Sequence, residues 1–180
     1  MPIHSLAVFC GSHHGKNPLY TEHAESLGKL MAEKNVSLIY GGGNVGIMAV
    51  IADSVMSHGG KVVGIIPQVL IEWERQHTNI SQLIVTEDMH TRKKTIYSMC
   101  DAAVVLPGGF GTLDELFEML TWNQLSIHDK EIFILNSGGF YDQLVAHISK
   151  MQEENFLYEK ASSRITVLQQ PEEILPFLEK

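Results

Sequence analysis

The 180 residues of the chain carry 13 basic and 21 acidic side chains, and the net charge of −8 argues against a concentrated basic surface for nucleic acid. No apolar run approaches the roughly 20 residues needed to cross a bilayer, the N-terminus lacks the basic start of a signal peptide, and Cys10 and Cys100 form no C-x-x-C pair. We therefore expect one domain over residues 1–180, in a reduced cytoplasm, without a membrane or nucleic-acid partner.

Seven apolar segments rich in Val, Ile and Leu predict β-strands. They are residues 5–11, 36–42, 61–67, 83–87, 102–108, 131–136 and 164–168. Because polar residues do not alternate with apolar ones in these segments, we expect strands that are covered on both faces, which is typical of a parallel sheet.

Helical patterns separate the strands. Asn17 and Pro18 are typical of a helix N-cap and first helical residue, the pair Gly59-Gly60 is expected to end a second helix, and residues 89–100 and 112–126 predict two more. This alternation predicts an α/β fold, a Rossmann-like doubly wound parallel sheet, with its site at the carboxyl ends of the strands.

Glycine-rich loops follow three of the predicted strands. They read CGSHHG after the first strand, GGGNVG after the second and PGGFGT after the fifth. A single such loop can serve only a tight turn. Three of them at one edge of a sheet favour a ligand that contains phosphate.

Two common nucleotide motifs fit the chain poorly. Gly41, Gly43 and Gly46 satisfy G-x-G-x-x-G, but they follow the second strand, and the third strand ends without the acidic residue that holds a ribose in dinucleotide-binding proteins. The glycine loops also lack the G-K-[ST] of a P-loop. A nucleoside monophosphate therefore fits better than NAD or ATP.

Arg92 and Lys93 supply positive charge near the same predicted edge. They stand at the start of the helix that follows the fourth strand. Arginine offers a planar fork for a phosphate or a carboxylate, and lysine acts as a point charge. A short basic run is more commonly a solvated helix face, but its predicted position favours a role in the site.

Glu115 has both a structural and a functional interpretation. Thr112 to Glu115 reads T-x-x-E, the pattern of a capping box, in which the two side chains bond to backbone N–H groups at a helix start. The helix start and Arg92 would also keep the carboxylate ionised. Such an anion can stabilise positive charge on a ribose as its glycosidic bond breaks, and the two roles are compatible.

These residues resemble a known family. Residues 107–115 fit P-G-G-x-G-T-x-x-E and residues 89–93 fit M-H-x-R-K, the paired signatures of the LOG ("Lonely Guy") proteins, cytokinin riboside 5′-monophosphate phosphoribohydrolases. The resemblance extends through residues 8–12, 40–43, 122–125 and 127–130, and it covers nearly the whole chain.

The resemblance implies hydrolysis of adenosine monophosphate, or of its N6-modified cytokinin form, to the free base and ribose 5-phosphate. It further implies a homodimer without a metal or cofactor, with Arg92 and Glu115 as catalytic residues and Glu74 near the substrate, although the departure of residues 71–77 from the family pattern leaves Glu72 as an alternative. The remaining residues implied to bind substrate are Ser12, Gly42, Gly43, Lys93, Gly108, Gly109, Phe110, Gly111, Thr112, Leu113, Asp114 and Thr121.

Two other functions are alternatives to hydrolysis. A non-catalytic nucleotide sensor or carrier could use the same loops and is the main alternative. Lysine decarboxylase, a label also given to this family, finds no support, since no lysine stands in a setting suited to a Schiff base with pyridoxal phosphate. The nine histidines show no H-E-x-x-H spacing, so no metal site is expected.

Overall fold

A computed structural model describes residues 2–71, 75–158 and 163–178. All seven strands belong to one parallel sheet of order β4-β3-β2-β1-β5-β6-β7, which confirms the Rossmann-like α/β prediction. The strands are β1 (Ser5–Phe9), β2 (Ser37–Tyr40), β3 (Val62–Pro67), β4 (Gln82–Thr86), β5 (Ala102–Val105), β6 (Ile132–Leu135) and β7 (Ile165–Leu168).

Five of the α-helices of the described residues lie between strands along the chain, and the sixth follows β7. They are α1 (Leu19–Glu33), α2 (Gly46–Ser57), α3 (Met89–Met99), α4 (Phe110–Gln124), α5 (Asp142–Glu153) and α6 (Leu175–Leu178). The predicted start of α1 is confirmed, because Pro18 has helical dihedrals and the Asn17 side chain accepts the N–H of Leu19 at 3.1 Å. Gly59, at φ 77°, follows the end of α2 as expected.

Apolar side chains pack on both faces of the sheet. One face carries Leu6 and Val8 against α1 and α2, and the other carries Ala7 and Phe9 against α3 and α4. The central strands are buried except for Ser5 and Ser37, half-buried at the starts of β1 and β2, whereas the edge strands β4 and β7 are mostly half-buried or exposed. Full coverage on both faces was therefore a correct expectation for the centre of the sheet and a wrong one for its edges.

The order of the strands reverses at β1, which lies between β2 and β5. Val8 is in register with Tyr40 of β2 and with Val104 of β5, so the loops that follow these three strands meet at one edge. In such sheets the crevice at the reversal is where ligands bind. The predicted strands ran too far into these loops, since β1, β2 and β5 end at Phe9, Tyr40 and Val105.

Candidate active site

The backbone groups of the glycine turn after β2 form hydrogen bonds with other parts of the protein. The Gly41 carbonyl accepts Nη2 of Arg92 at 3.3 Å, and a Cβ on Gly41 would collide with that nitrogen. Gly42 adopts φ 77°, and its carbonyl accepts the N–H of His77 at 2.9 Å. The N–H of Asn44 donates to the main chain as well. The close approach of a side chain therefore explains why residue 41 is glycine.

The loop after β5 is open toward the crevice. Gly109 is the N-cap of α4, and a Cβ on Gly109 or Gly111 would meet nothing within 4 Å. Gly108 differs, because a Cβ there would collide with Thr112. The first N–H groups of a helix have no partner within the helix, so this turn presents donors beside open space. Phe110 stands at its rim with 95% of its surface exposed.

The predicted capping box is absent. α4 begins at Phe110, two residues before Thr112, and the N-cap Gly109 makes no side-chain hydrogen bond. Thr112 is buried against Gly108 inside the first turn, and Glu115 lies beyond that turn. Glu115 therefore lies farther from the start of α4 than the T-x-x-E pattern predicts, and the expectation that the helix start keeps it ionised stays a prediction.

Arg92 and Glu115 lie together across the crevice, as predicted. The Arg92 side chain is 7% exposed and that of Glu115 is 12% exposed, with Nη1 and Oε1 3.9 Å apart. Arg92 Nε donates to the Ile65 carbonyl at 3.0 Å, and Nη2 donates to Gly41. Two main-chain carbonyls thus fix the guanidinium plane, and Nη1 faces both the Met89 sulfur, at 3.8 Å, and the Glu115 carboxylate.

Lys93 pairs with carboxylates of α4. Its Nζ lies 3.0 Å from Asp114 Oδ2 and 3.2 Å from Glu118 Oε2. Burial lowers the pKa of Lys93, but the hydrogen bonds that Lys93 donates to the two carboxylates outweigh this effect, so the pKa is raised. The hydroxyl of Tyr97 donates to the same Glu118 oxygen at 2.8 Å, and burial together with this bond raises the pKa of Tyr97.

A cavity of about 200 Å³ lies beside Arg92 and Glu115. Of the residues predicted from the sequence, it is lined by Ser12, Arg92, Gly109, Phe110, Gly111, Thr112, Asp114 and Glu115. The cavity is also lined by Cys10, Met48 and Met89, for which the sequence patterns predict no role in a site. The positions of Cys10 directly after β1 and of Met89 in the M-H-x-R-K segment were the available signals.

The other predicted residues lie elsewhere. Leu113 packs into the core, and Thr121, roughly 13 Å along α4 from Thr112 at about 1.5 Å per residue, donates to the Phe117 carbonyl at 2.7 Å. Lys93, Gly42 and Gly43 do not line the cavity, and Gly108 lines a neighbouring one of about 250 Å³. Glu72 and Glu74 fall outside the described residues.

Among the described residues, no three His, Cys, Asp or Glu side chains come together in a way that could hold a metal ion. None of the helices in this described part of the chain is both long and apolar enough to cross a membrane.

Solved structures share the fold at low sequence identity. The molybdenum cofactor binding protein of Rippkaea orientalis matches with a TM-score of 0.73 and 21% identity, covering 99% of this chain and 97% of that one. A Moco carrier protein of Chlamydomonas reinhardtii matches with a TM-score of 0.73 and 16% identity, covering 97% and 94%. At these identities the likeness concerns the fold alone.

Sequence relatives are closer. A probable cytokinin riboside 5′-monophosphate phosphoribohydrolase of Oryza sativa subsp. japonica is 40% identical over 175 residues, 97% of this chain and 72% of that protein. A cytokinin riboside 5′-monophosphate phosphoribohydrolase of Arabidopsis thaliana is 39% identical over 97% of this chain and 81% of its own length. Residues 48–178 match a family model described as "Possible lysine decarboxylase", a historical label, since these curated relatives are named as phosphoribohydrolases. The chain therefore belongs to the family of the cytokinin riboside 5′-monophosphate phosphoribohydrolases.

Proposed function

We propose that this chain hydrolyses the N-glycosidic bond of a purine nucleoside 5′-monophosphate, either a cytokinin riboside monophosphate or adenosine monophosphate. The products are the free base and ribose 5-phosphate. The observation that carries the proposal is the pairing of Arg92 and Glu115 at 3.9 Å in a cavity bordered by the open first turn of α4. The curated relatives carry the name of this activity.

The first turn of α4 suits the phosphate of the substrate. Its unpaired N–H groups and the positive end of the helix dipole favour an anion. Gly109 and Gly111 leave open space there, so a phosphate can approach the main chain closely. The substrate contacts we propose are those of the predicted residues that line the cavity: Ser12, Gly109, Phe110, Gly111, Thr112 and Asp114.

Glu115 is the group we assign to the bond-breaking step. The bond between C1′ and the base nitrogen breaks with its electron pair leaving on the base, so positive charge develops on C1′ and the ring oxygen. A carboxylate placed before the reaction stabilises that charge and can orient the water that adds to C1′. One water is consumed: its oxygen joins C1′ and keeps one proton as the new hydroxyl, and its other proton ends on the base, which left with the electron pair of the broken bond.

Arg92 is the group we assign to orientation. Its bonds to the Ile65 and Gly41 carbonyls hold the guanidinium in the folded protein before substrate binds. Holding a catalytic group in place in advance lowers the entropic cost of reaching the transition state. Arg92 thereby fixes the position of Glu115 and offers a cation to the ribose phosphate.

The remaining sequence-based expectations join the proposal. These are a homodimer, a cytoplasmic location, and the substrate contacts that the resemblance implies for Lys93, Gly42, Gly43, Gly108, Leu113, Thr121 and Glu74, although the described ones among these residues do not line the cavity of about 200 Å³. Light scattering of the purified protein tests the dimer directly.

The activity is tested with purified protein and three substrates. Adenosine monophosphate and its N6-isopentenyl analogue are expected to release free base together with ribose 5-phosphate. Adenosine, which lacks the phosphate, is the matched control and should release little base. Nucleotide binding without base release would support the alternative, a sensor or carrier.

A further inference from the structure

His77 is a buried imidazole outside the cavity whose two ring nitrogens are both bonded. The residue is 3% exposed. Its Nδ1 accepts the N–H of Asn79 at 3.3 Å, which leaves Nε2 to donate to Asp53 Oδ1 at 3.0 Å. The Asp53 side chain stands on the solvent side of α2 and is 67% exposed. His77 therefore connects the segment after β3 to α2.

The same segment is bonded to the glycine turn that holds Arg92. The N–H of His77 donates to the Gly42 carbonyl at 2.9 Å, and Gly43 and Gln76 form an isolated antiparallel bridge. The preceding residue in the turn, Gly41, provides one of the carbonyls that Arg92 bonds.

A second bond reinforces the attachment. The N–H of Asn44 donates to the Arg75 carbonyl at 2.8 Å, and Arg75 adopts φ 46°. A non-glycine residue in that left-handed region persists when surrounding contacts hold it there. Residues 75–77 therefore form a short ordered segment against the glycine turn.

We propose that His77 is a positioning residue for Arg92, acting through the Gly41-Gly42 turn, with Asp53 as its anchor on α2. The proposal rests on the assignment of Arg92 to the hydrolysis above. A buried polar side chain normally satisfies its hydrogen bonds, and those of His77 run from a helix to the turn on which the guanidinium is seated. Groups that orient a functional side chain act on the rate of the reaction more than on substrate binding.

Two substitutions of His77 separate its two bonds. The side-chain oxygen of asparagine can replace Nδ1 as acceptor for Asn79, so His77→Asn keeps the local turn and loses the bond to Asp53. The amide of glutamine can replace Nε2 as donor, so His77→Gln keeps the bond to Asp53. Asp53→Ala removes the anchor from an exposed position, where folding should survive. Glu33→Ala, an exposed acid of α1 that pairs with Lys29 at 3.8 Å, is the matched control.

We expect Asp53→Ala and His77→Asn to lower kcat by about 10-fold with KM changed by less than about 3-fold, and His77→Gln to stay closer to the original protein. Glu33→Ala should leave both constants unchanged. The second readout is the Arg92 Nε–H resonance in ¹⁵N spectra, identified by its loss in Arg92→Lys. In Asp53→Ala and His77→Asn it should exchange faster with water, because the bond to Ile65 is less well held.

The outcomes are distinct. Unchanged kcat and an unchanged Arg92 resonance in both Asp53→Ala and His77→Asn would overturn the positioning role. An equal loss in His77→Gln and His77→Asn would also count against it, since the Asp53 bond would then be irrelevant. If the original protein releases no base but the resonance still responds to Asp53→Ala, the proposed hydrolysis fails while the positioning of Arg92 stands.

Discussion

Arg92 and Lys93 are adjacent on α3 and similarly buried, yet they have different partners. Arg92 is seated on two neutral main-chain carbonyls and directs Nη1 at Glu115 in the cavity. Lys93 lies between Asp114 and Glu118, so two carboxylates neutralise its charge. Burial alone therefore does not show which cation can act on a ligand. A cation bonded to carbonyls and facing one acid at 3.9 Å keeps more of its charge available to a ligand than one that two acids share at 3.0 and 3.2 Å.

Glu115→Gln is the change with the largest expected effect, because it removes the charge of the acid that faces Arg92 and keeps its shape. We expect kcat to fall by about 10² to 10³-fold, the range found when one electrostatic contact to a transition state is lost. Thermal unfolding should change little, because glutamine keeps the shape of the side chain and Arg92 keeps its bonds to the Ile65 and Gly41 carbonyls. Base release at saturating substrate measures the effect, and near-normal turnover would rule out the assigned role.

Arg92→Lys tests whether the hydrogen bonds of Arg92 to the Ile65 and Gly41 carbonyls matter beyond its charge. Lysine cannot bond the Ile65 and Gly41 carbonyls and face Glu115 at once. We expect kcat to fall by about 100-fold and the free energy of unfolding to fall by about 1–3 kcal/mol, since a buried carbonyl loses its donor. Kinetics and chemical denaturation measure the two effects. Full activity in this variant would mean that charge alone suffices.

Gly41→Ala changes the surroundings of the Arg92 guanidinium without removing any charge. The added Cβ would collide with Nη2 of Arg92 and displace the guanidinium. We expect a fall in kcat of about 10-fold or more. Glu33→Ala, at an exposed position of α1 away from the cavity, is the control and should leave both kcat and folding intact. Equal melting temperatures with unequal kcat values would support the comparison, and an active Gly41→Ala protein would contradict it.

Lys93→Met has the smallest expected effect. If Lys93 serves to join α3 and α4, kcat should change by less than about 3-fold and the free energy of unfolding should fall by about 1 kcal/mol. A large rise in KM would instead support direct contact with the substrate, as the resemblance implies.

The pH dependence of stability follows from the raised pKa of Lys93. A group whose pKa is higher in the folded state stabilises the fold below its ordinary value, here 10.5, and loses that contribution as the pH rises through the raised value. Lys93→Met should therefore be less stable than the original protein at neutral pH, and the difference should shrink in strongly alkaline solution. Denaturant unfolding across this range measures it.

The fold could be predicted because apolar strand segments and glycine loops are local signals. All seven strands were found, but their ends were placed too late where glycines prolong an apolar run, as at residues 5–11 and 102–108. The T-x-x-E pattern misled for a different reason. Gly109, which has no side chain, is the N-cap of α4, and Thr112 is buried against Gly108. The helix therefore begins before the residues of the T-x-x-E pattern, Thr112 to Glu115.

The proximity of Arg92 and Glu115 could be predicted from the sequence, but the contacts around these two residues could not. Arg92 and Glu115 stand in recognisable motifs, and strand-end geometry brings them together. The bonds of Arg92 to Ile65 and Gly41 depend on how α3 packs against β3 and β2, which no local pattern encodes. The pairing of Lys93 with Asp114 depends in the same way on the packing of α3 against α4.

The reversal of strand order at β1 also has a consequence for how the protein acquires its site during folding. β1 must pair with β5, and Ser5 and Asp101, 96 residues apart, bond beside that pairing. Closing so long a stretch of chain is slow compared with the formation of helices. The cavity floor is therefore completed only when the two halves of the sheet meet, and catalytic competence should appear during refolding after most of the helical structure has formed.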